Sequence, residues 1–342
     1  MRFPRLLLKF SARLLAPLAL VSVAPAAQAQ SEGFDAYLQR VAARARTEGV
    51  SEATITRVLT GLTPNDRIVA LDSAQPGRQV APPPIAPYIA KHVGPGIIAR
   101  GKAKYTEMSG ILPRIEQRYG VWSPVLFAIW GHETNYGSFM GDFDLARSLA
   151  TLAWEGRRRA LFEGELVALL KMVDQGVPTW RLKGSWAGAF GNPQFLPSVY
   201  LRIAADGDGD GDRDIWSSNA DTTASIANYF RDAGWRPGQP WGARVALPSG
   251  FDAGAYATKM AAPSCDRVYA RHSQWKTAAE WRALGIRTLA PLGEDVMATL
   301  FQPDGPGTPA YLLTGNYRVI LQYNCSNYYA LSVGLLADEI SR

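Results

Sequence analysis

Apolar positions recur at helical spacing through most of this chain and give way to short β-branched and aromatic runs only near its end. Phe34, Tyr37, Leu38 and Val41 mark a first helix, and Ser51 reads as the N-cap of a second that runs to Leu59. Gln75 to Pro87 holds five prolines and is expected to cross the surface as an extended connector, because proline interrupts a helix interior. Between Ile97 and Tyr119 the periodicity predicts one long core helix, stopped by Gly120. Ser123 and Pro124 then supply a cap and a first-turn proline for the unbroken apolar run Val125 to Trp130. Leu145 to Leu152, Arg158 to Val173 and Asp221 to Ala233 read as further helices. In the tail, Val296 to Phe301, Tyr311 to Leu313 and Tyr317 to Tyr323 read as strands of a small sheet, followed by a last helix from about Tyr328 to Ile340. The pattern predicts a mainly α (α+β) protein: a helical N-terminal part, a helical core over about 95–235, a small β-containing lobe over about 240–325 and a closing C-terminal helix.

The start of the chain follows a different logic. Met1 to Arg13 carries Arg2, Arg5, Lys9 and Arg13 without an acid, and an apolar stretch to Val21 leads to Ala27-Gln28-Ala29. This is expected to be a signal peptide over 1–29, too short to span a membrane, with 30–342 as the exported domain. No cysteine near the cleavage point offers a lipid anchor. The leader contributes four basic residues and no acid, so the formal charge of +6 drops to +2 once it is removed. So mild a charge argues against a nucleic-acid partner. Export also bears on Cys265 and Cys325, which an oxidising compartment lets pair if the fold brings them together; the alternative is two buried free thiols.

Glu133 is the strongest candidate for chemistry. It ends the apolar run within Trp130-Gly131-His132-Glu133-Thr134-Asn135-Tyr136-Gly137. A carboxyl against an apolar wall resists ionisation, which is what a general acid near neutral pH requires. The plainer alternative is a solvated acid at a helix end. His132 beside it points elsewhere on the helix and reads as structural, and His92, His132 and His272 are too scattered in the sequence to suggest a metal site. A second segment, Gly184 to Ser198, combines glycines that admit a close ligand with Ser185 and Gln194 as hydrogen-bonding groups and Phe190 and Phe195 as apolar faces. A third, Asp206 to Asp214, places acids at alternating positions with Gly211 sixth, as in the first half of an EF-hand loop. Ser217 stands where the twelfth-position Glu of that loop belongs. A bound calcium or related cation and a solvated acidic turn are the two readings.

Taken together, these segments resemble the B-type lytic murein transglycosylases, lysozyme-like enzymes that cut the glycan strands of peptidoglycan. The resemblance rests on Gly131 to Gly141, on Gly188-Ala189-Phe190-Gly191 with Gln194-Phe195-Leu196-Pro197-Ser198, on Arg158-Arg159, on Ile226 to Phe230, and on Tyr323 to Leu331. It runs from about Phe34 to the C-terminus. Phe190 and Leu196 replace the family's usual Met, a change of subsite shape rather than polarity. The resemblance implies a lysozyme-like fold and a periplasmic enzyme with peptidoglycan glycan strands as its partner. Glu133 would be its sole acid and base, with no cofactor for the chemistry. Tyr88, Arg158, Arg159, Ser185, Gln194, Tyr229, Tyr323, Asn324 and Tyr329 would line its groove. It further implies a structural Ca2+ held by Asp206, Asp208, Asp210 and Asp212, with Asp221 as the late acid closing the site.

Two rivals remain in view. One is a hydrolytic muramidase, which needs a second carboxylate such as Asp142, Asp144 or Glu155 and a positioned water. The other is a non-catalytic glycan-binding wall protein. A peptidase or amidase fits poorly, since the sequence shows neither HExxH nor a Cys–His nucleophile pair.

Overall fold

The computed structural model describes residues 32–75, 83–259, 262 and 264–342. The expected signal peptide and most of the proline-rich connector lie outside them. Fifteen helices and two small sheets are found among the described residues.

An N-terminal piece, α1 (Phe34–Thr47), α2 (Glu52–Leu59) and α3 (Asp66–Ser73), packs on α8 (Leu145–Glu155) and α9 (Arg159–Asp174). Ser51 caps α2 as its sequence suggested, accepting from the Thr54 amide. The central element is α7 (Ser123–Thr134), buried from Ser123 through Gly131. A helix that is apolar on every side must be enclosed on every side. Around it lie α4 (Ile85–His92), α5 (Pro95–Glu107), α6 (Leu112–Tyr119), α11 (Asn219–Asp232), α14 (Gly315–Tyr323) and α15 (Asn327–Ser341). The hydrophobic interior forms one core around α7 and α15 and another around α1, α8 and α9, together with α10 (Pro197–Ile203). Tyr229 and Tyr323 pack against both.

A separate core fills the lobe, where an antiparallel sheet runs in the order β4 (Trp275–Thr277), β6 (Met297–Phe301), β7 (Ala310–Leu313), β3 (Gly242–Ala246), β5 (Arg287–Thr288). It is completed by α12 (Asp266–Tyr269) and α13 (Ala278–Ala283). A second, two-stranded sheet joins β1 (Phe143–Asp144) to β2 (Lys183–Gly184).

Three expectations are corrected. The stretch from Ile97 to Tyr119 is two helices and not one, because Pro113 cannot sit inside a helix without clashing with the carbonyl one turn earlier; it occupies the first turn of α6. Pro87 lies within α4 rather than in an extended connector. First-turn amides need no partner inside the helix, and those of Ile85 and Ala86 are taken by the Asp304 carboxylate at 2.7 and 3.2 Å. Tyr317 to Tyr323 is helix α14, capped by Thr314, because its apolar residues pack on α15 and not in the sheet. The strands β1 to β5 were not foreseen.

Candidate active site

Glu133 stands in the last turn of α7, and the chain leaves that helix through three successive left-handed residues, Asn135 (φ 51°), Tyr136 (φ 60°) and Gly137 (φ 83°). The turn folds the Tyr136 ring back over Gly131, where a Cβ would lie 2.7 Å from the Tyr136 hydroxyl oxygen. A little further on, Gly141 (φ 92°) lets the loop touch the Gly184–Ser185 backbone, where any side chain would collide. The acid segment and the glycine-rich segment are thereby pressed together. Asn192 fixes the joint from within: buried, it accepts from Trp130 Nε1 at 2.8 Å, its carbonyl accepts from Thr134 Oγ1 at 3.2 Å, and its own amide groups donate to Ile215 and Trp216. In the sequence Asn192 carries no signal beyond its place between a glycine and a proline in the glycine-rich segment.

The Tyr329 hydroxyl donates to Glu133 Oε1 at 2.5 Å. Burial pushes the Glu133 carboxyl up to about 7, against the opposing pull of that hydrogen bond. Tyr329 stacks on Tyr323 with ring centroids 6.5 Å apart, Tyr323 meets Tyr229 edge-on at 4.7 Å, and both approach Phe195. An aromatic row thus runs from the carboxyl to the glycine-rich segment along the seam between the two helical cores. Tyr323 donates to the Pro193 carbonyl at 2.5 Å and Tyr229 to that of Gln322 at 2.9 Å. Gln194, at φ 50°, donates from Nε2 to the Met140 and Gly191 carbonyls, and Ser185 Oγ accepts from the Ala189 amide. Asn324 ends α14 in the turn closed by the Cys265–Cys325 disulfide.

On the other side of Glu133, Tyr88 stacks on His92 at 3.9 Å and its phenol is raised by burial and by the Glu133 charge. His92 in turn stacks on His132 at 5.7 Å. Far apart in sequence, these two histidines are neighbours in space, and burial holds His132 down to about 4. Arg158 and Arg159 engage the N-terminal piece. Arg158 pairs with Asp72 at 2.5 Å, and Arg159 donates to the Trp154 carbonyl at 3.1 Å and lies 3.8 Å from Glu32.

The acidic loop follows. Carboxylate oxygens of Asp206, Asp208 and Asp210 lie within 4.8 Å of one another, as do those of Asp210, Asp212 and Asp221. Asp221 is fully buried, and burial first, then the charges of Asp208 and Asp206, raise its carboxyl to about 6 despite hydrogen bonds from the Gly207 and Asp214 amides. Hard oxygens gathered around a buried carboxylate form a donor set that suits Ca2+. Asp214 is instead tied to Arg181 at 2.7 Å and to Trp216 and Ser217. No histidine joins either group among the described residues.

A largely buried carboxyl at a helix end beside aromatic and amide groups, with no second acid lining its cavity among the described residues, is the arrangement that a glycan-cleaving enzyme of lysozyme-like fold uses. Residues 33–338 match the transglycosylase SLT domain family. The chain is 30% identical over 290 residues to membrane-bound lytic murein transglycosylase B of Escherichia coli K12, covering 81% of this chain and 74% of that protein. Among solved structures it is similar to SltB3 of Pseudomonas aeruginosa, described in complexes with NAG-NAM-pentapeptide and with NAG-anhNAM-pentapeptide; each has a TM-score of 0.81 at 38% identity over 91% of this chain and 80% of that one. Slt35 of Escherichia coli in complex with calcium gives a TM-score of 0.72 at 27% identity, with 89% and 92% covered. The chain belongs to the transglycosylase SLT family and is a lytic murein transglycosylase.

Proposed function

We propose that Glu133 is the single acid and base with which this enzyme breaks the β-1,4 bond between N-acetylmuramic acid and N-acetylglucosamine. The observation that carries the reading is a carboxyl raised to about 7 by burial at the end of α7, in a cavity whose lining holds no other acid among the described residues. Protonated Glu133 donates to the bridging oxygen while the sugar gains oxocarbenium character. The substrate's own acetamido group stabilises the cationic carbon, and ionised Glu133 then takes the proton of the C6 hydroxyl as that oxygen closes on C1. The product is a 1,6-anhydromuramoyl end, and no water enters. Tyr329 holds one Glu133 oxygen in place, and Tyr88, Ser185, Gln194, Tyr229, Tyr323 and Asn324 form the walls that bind the strand. Arg158 and Arg159 belong to the outer margin of that groove.

A hydrolytic muramidase is less well supported. Asp144 caps α8 by accepting from the Arg147 amide, and Glu155 accepts from the Arg157 amide, so neither is poised as a second catalytic carboxylate. Asp206, Asp208, Asp210, Asp212 and Asp221 would hold Ca2+, which braces the loop that Asn192 ties to α7 and takes no part in the chemistry. The basic leader and the peptidoglycan substrate together support a periplasmic location. No described helix is long and apolar enough to cross a membrane.

Mass spectrometry of products from purified sacculi tests the reaction. Anhydromuramoyl ends are expected from the native protein; reducing muramic ends would replace the reading with a hydrolase, and no soluble product would favour a glycan-binding role.

A further inference from the structure

The reaction uses no residue of the β-bearing lobe, yet the lobe grips the helix that carries the acid's hydrogen-bond partner. Asn327 opens α15 and is buried where that helix meets the lobe. Its Oδ1 accepts from His272 Nε2 at 2.8 Å and from the Tyr317 hydroxyl at 3.1 Å, and its Nδ2 donates to the Val268 carbonyl at 3.1 Å. Val268 belongs to α12, His272 to the segment between α12 and β4, and Tyr317 to α14. His272 and Tyr317 are themselves buried, with ring centroids 5.8 Å apart, and His272 also packs on Phe301 of β6 at 5.0 Å. A carbonyl oxygen only accepts, so the His272 proton sits on Nε2 and Nδ1 is left buried without a partner. Burial first, then the charge of Arg318, holds this imidazole down to about 3, so the clamp keeps one protonation state across the range in which Glu133 titrates. Two residues beyond Asn327, Tyr329 presents its hydroxyl to Glu133. The first turn of a helix frays unless it is held. Here the ordinary cap is slack, since Ser326 Oγ lies 3.4 Å from the Tyr329 amide, and no acid stands in the first turn. Asn327 supplies the hold that the cap does not.

Resting on the reading of Glu133 as the transglycosylase acid, we propose that Asn327, held by His272, Tyr317 and Val268, is a positioning residue that fixes Tyr329 on Glu133, so that the lobe serves the chemistry by anchoring the start of α15. The Tyr329 hydroxyl is the one side-chain hydrogen bond on Glu133 among the described residues, so a loosened first turn of α15 acts directly on the carboxyl. The titratable and charged groups around Glu133 are Tyr329 from α15, Tyr323 from α14, Tyr88, Lys91 and His92 from α4 and Arg100 from α5, besides His132 on its own helix. Of these, only Tyr329 stands on the helix that Asn327 opens. Asn327 touches neither the acid nor the cavity that bears it and takes no part in proton transfer.

The test follows kcat, KM and the alkaline limb of kcat/KM for anhydromuramoyl release from purified sacculi. Three variants are compared with the native protein: Asn327→Ala; Tyr317→Phe, which removes one donor and keeps the ring; and Asn327→Ala combined with Tyr329→Phe. Asn327→Ala should lower kcat about tenfold with KM within about twofold of native. It should also move the limb upward by about half a pH unit, toward the position of Tyr329→Phe, and Tyr317→Phe should move both readouts the same way by less. On top of Tyr329→Phe, Asn327→Ala should add little, because both act through one phenol. The Cys265–Cys325 disulfide keeps the start of α12 tied to the turn before α15 in every variant. Should Asn327→Ala still fail to fold, Tyr317→Phe decides alone. A limb that stays at its native position in the folded variants, or a full-sized loss that persists in the Tyr329→Phe background, overturns the proposal and leaves Asn327 a joint of the fold. Absence of anhydromuramoyl ends from the native protein overturns the reading of the enzyme and this proposal with it.

Discussion

Glu133 at the end of α7 and the carboxylates of the Asp206–Asp221 loop are the same chemical group in opposite surroundings. Glu133 is largely buried, has one side-chain hydrogen bond, and is relieved by keeping its proton. The loop crowds several acids near the surface, satisfies them with backbone amides, and buries one, Asp221, beneath them. A lone carboxyl can escape desolvation by protonation. A cluster does so far less well, because each neighbour adds repulsion, and a divalent cation relieves all of them at once. Isolation suits an acid to chemistry and crowding suits it to binding a metal. Asn192 connects the two regions, since it contacts Trp130 and Thr134 of α7 on one side and Ile215 and Trp216 of the loop on the other.

The contrast breaks most decisively at Glu133. Glu133→Gln keeps the shape and removes the proton donor, so anhydromuramoyl release should fall by about 10³ or more, as expected for the loss of a sole acid and base; residual activity within tenfold of native would move the chemistry to another group. At the loop, saturation with Ca2+ at about 100 times its dissociation constant should add about 2.7 kcal/mol, read as a rise of roughly 5 °C in Tm that a chelator reverses. Asp221→Asn should abolish the response. An equal response in that variant would place the cation elsewhere.

Stability against pH sharpens the comparison further. Folding raises the Glu133 carboxyl from 4.5 to about 7, so its contribution is fully present below pH 4.5 and is lost as pH rises through 7. Urea unfolding at pH 5 and pH 8 should show the native protein losing about 2 kcal/mol more than Glu133→Gln across that window. An identical slope in both would mean that the carboxyl is well solvated. The smallest effect is at Tyr329. Its hydroxyl favours the ionised acid, so Tyr329→Phe should move the alkaline limb of kcat/KM upward by roughly one pH unit. A downward shift would show that the phenol serves the protonated form.

Helices whose register is set by their own side chains were legible. Ser51 and Gly120 acted as the cap and the stop their residue types suggest, and the unbroken apolar run of α7 implied complete enclosure. What misled was local ambiguity. Tyr317 to Tyr323 is β-branched and aromatic, and only its packing on α15 makes it helical. Pro113 broke a helix that periodicity alone would have continued. The lobe's sheet was read from two of its strands, because β4 and β5 are two or three residues long and owe their existence to the partners beside them, and β3, Gly242–Ala246, holds Val245 as its one β-branched residue.

At the site, the sequence by itself determined the chemical inventory: an acid closing an apolar helix, a glycine-rich segment that admits a strand, and a loop of alternating acids. These follow from local spacing, and spacing is written in the chain. Tertiary structure decided how the inventory is used. It brought Tyr329 to Glu133 across 196 residues, set His92 against His132, turned Arg158 and Arg159 toward the N-terminal helices, and buried Asp221 under its loop. Burial and the approach of distant groups set a carboxyl's proton affinity, and neither exists until the chain has packed.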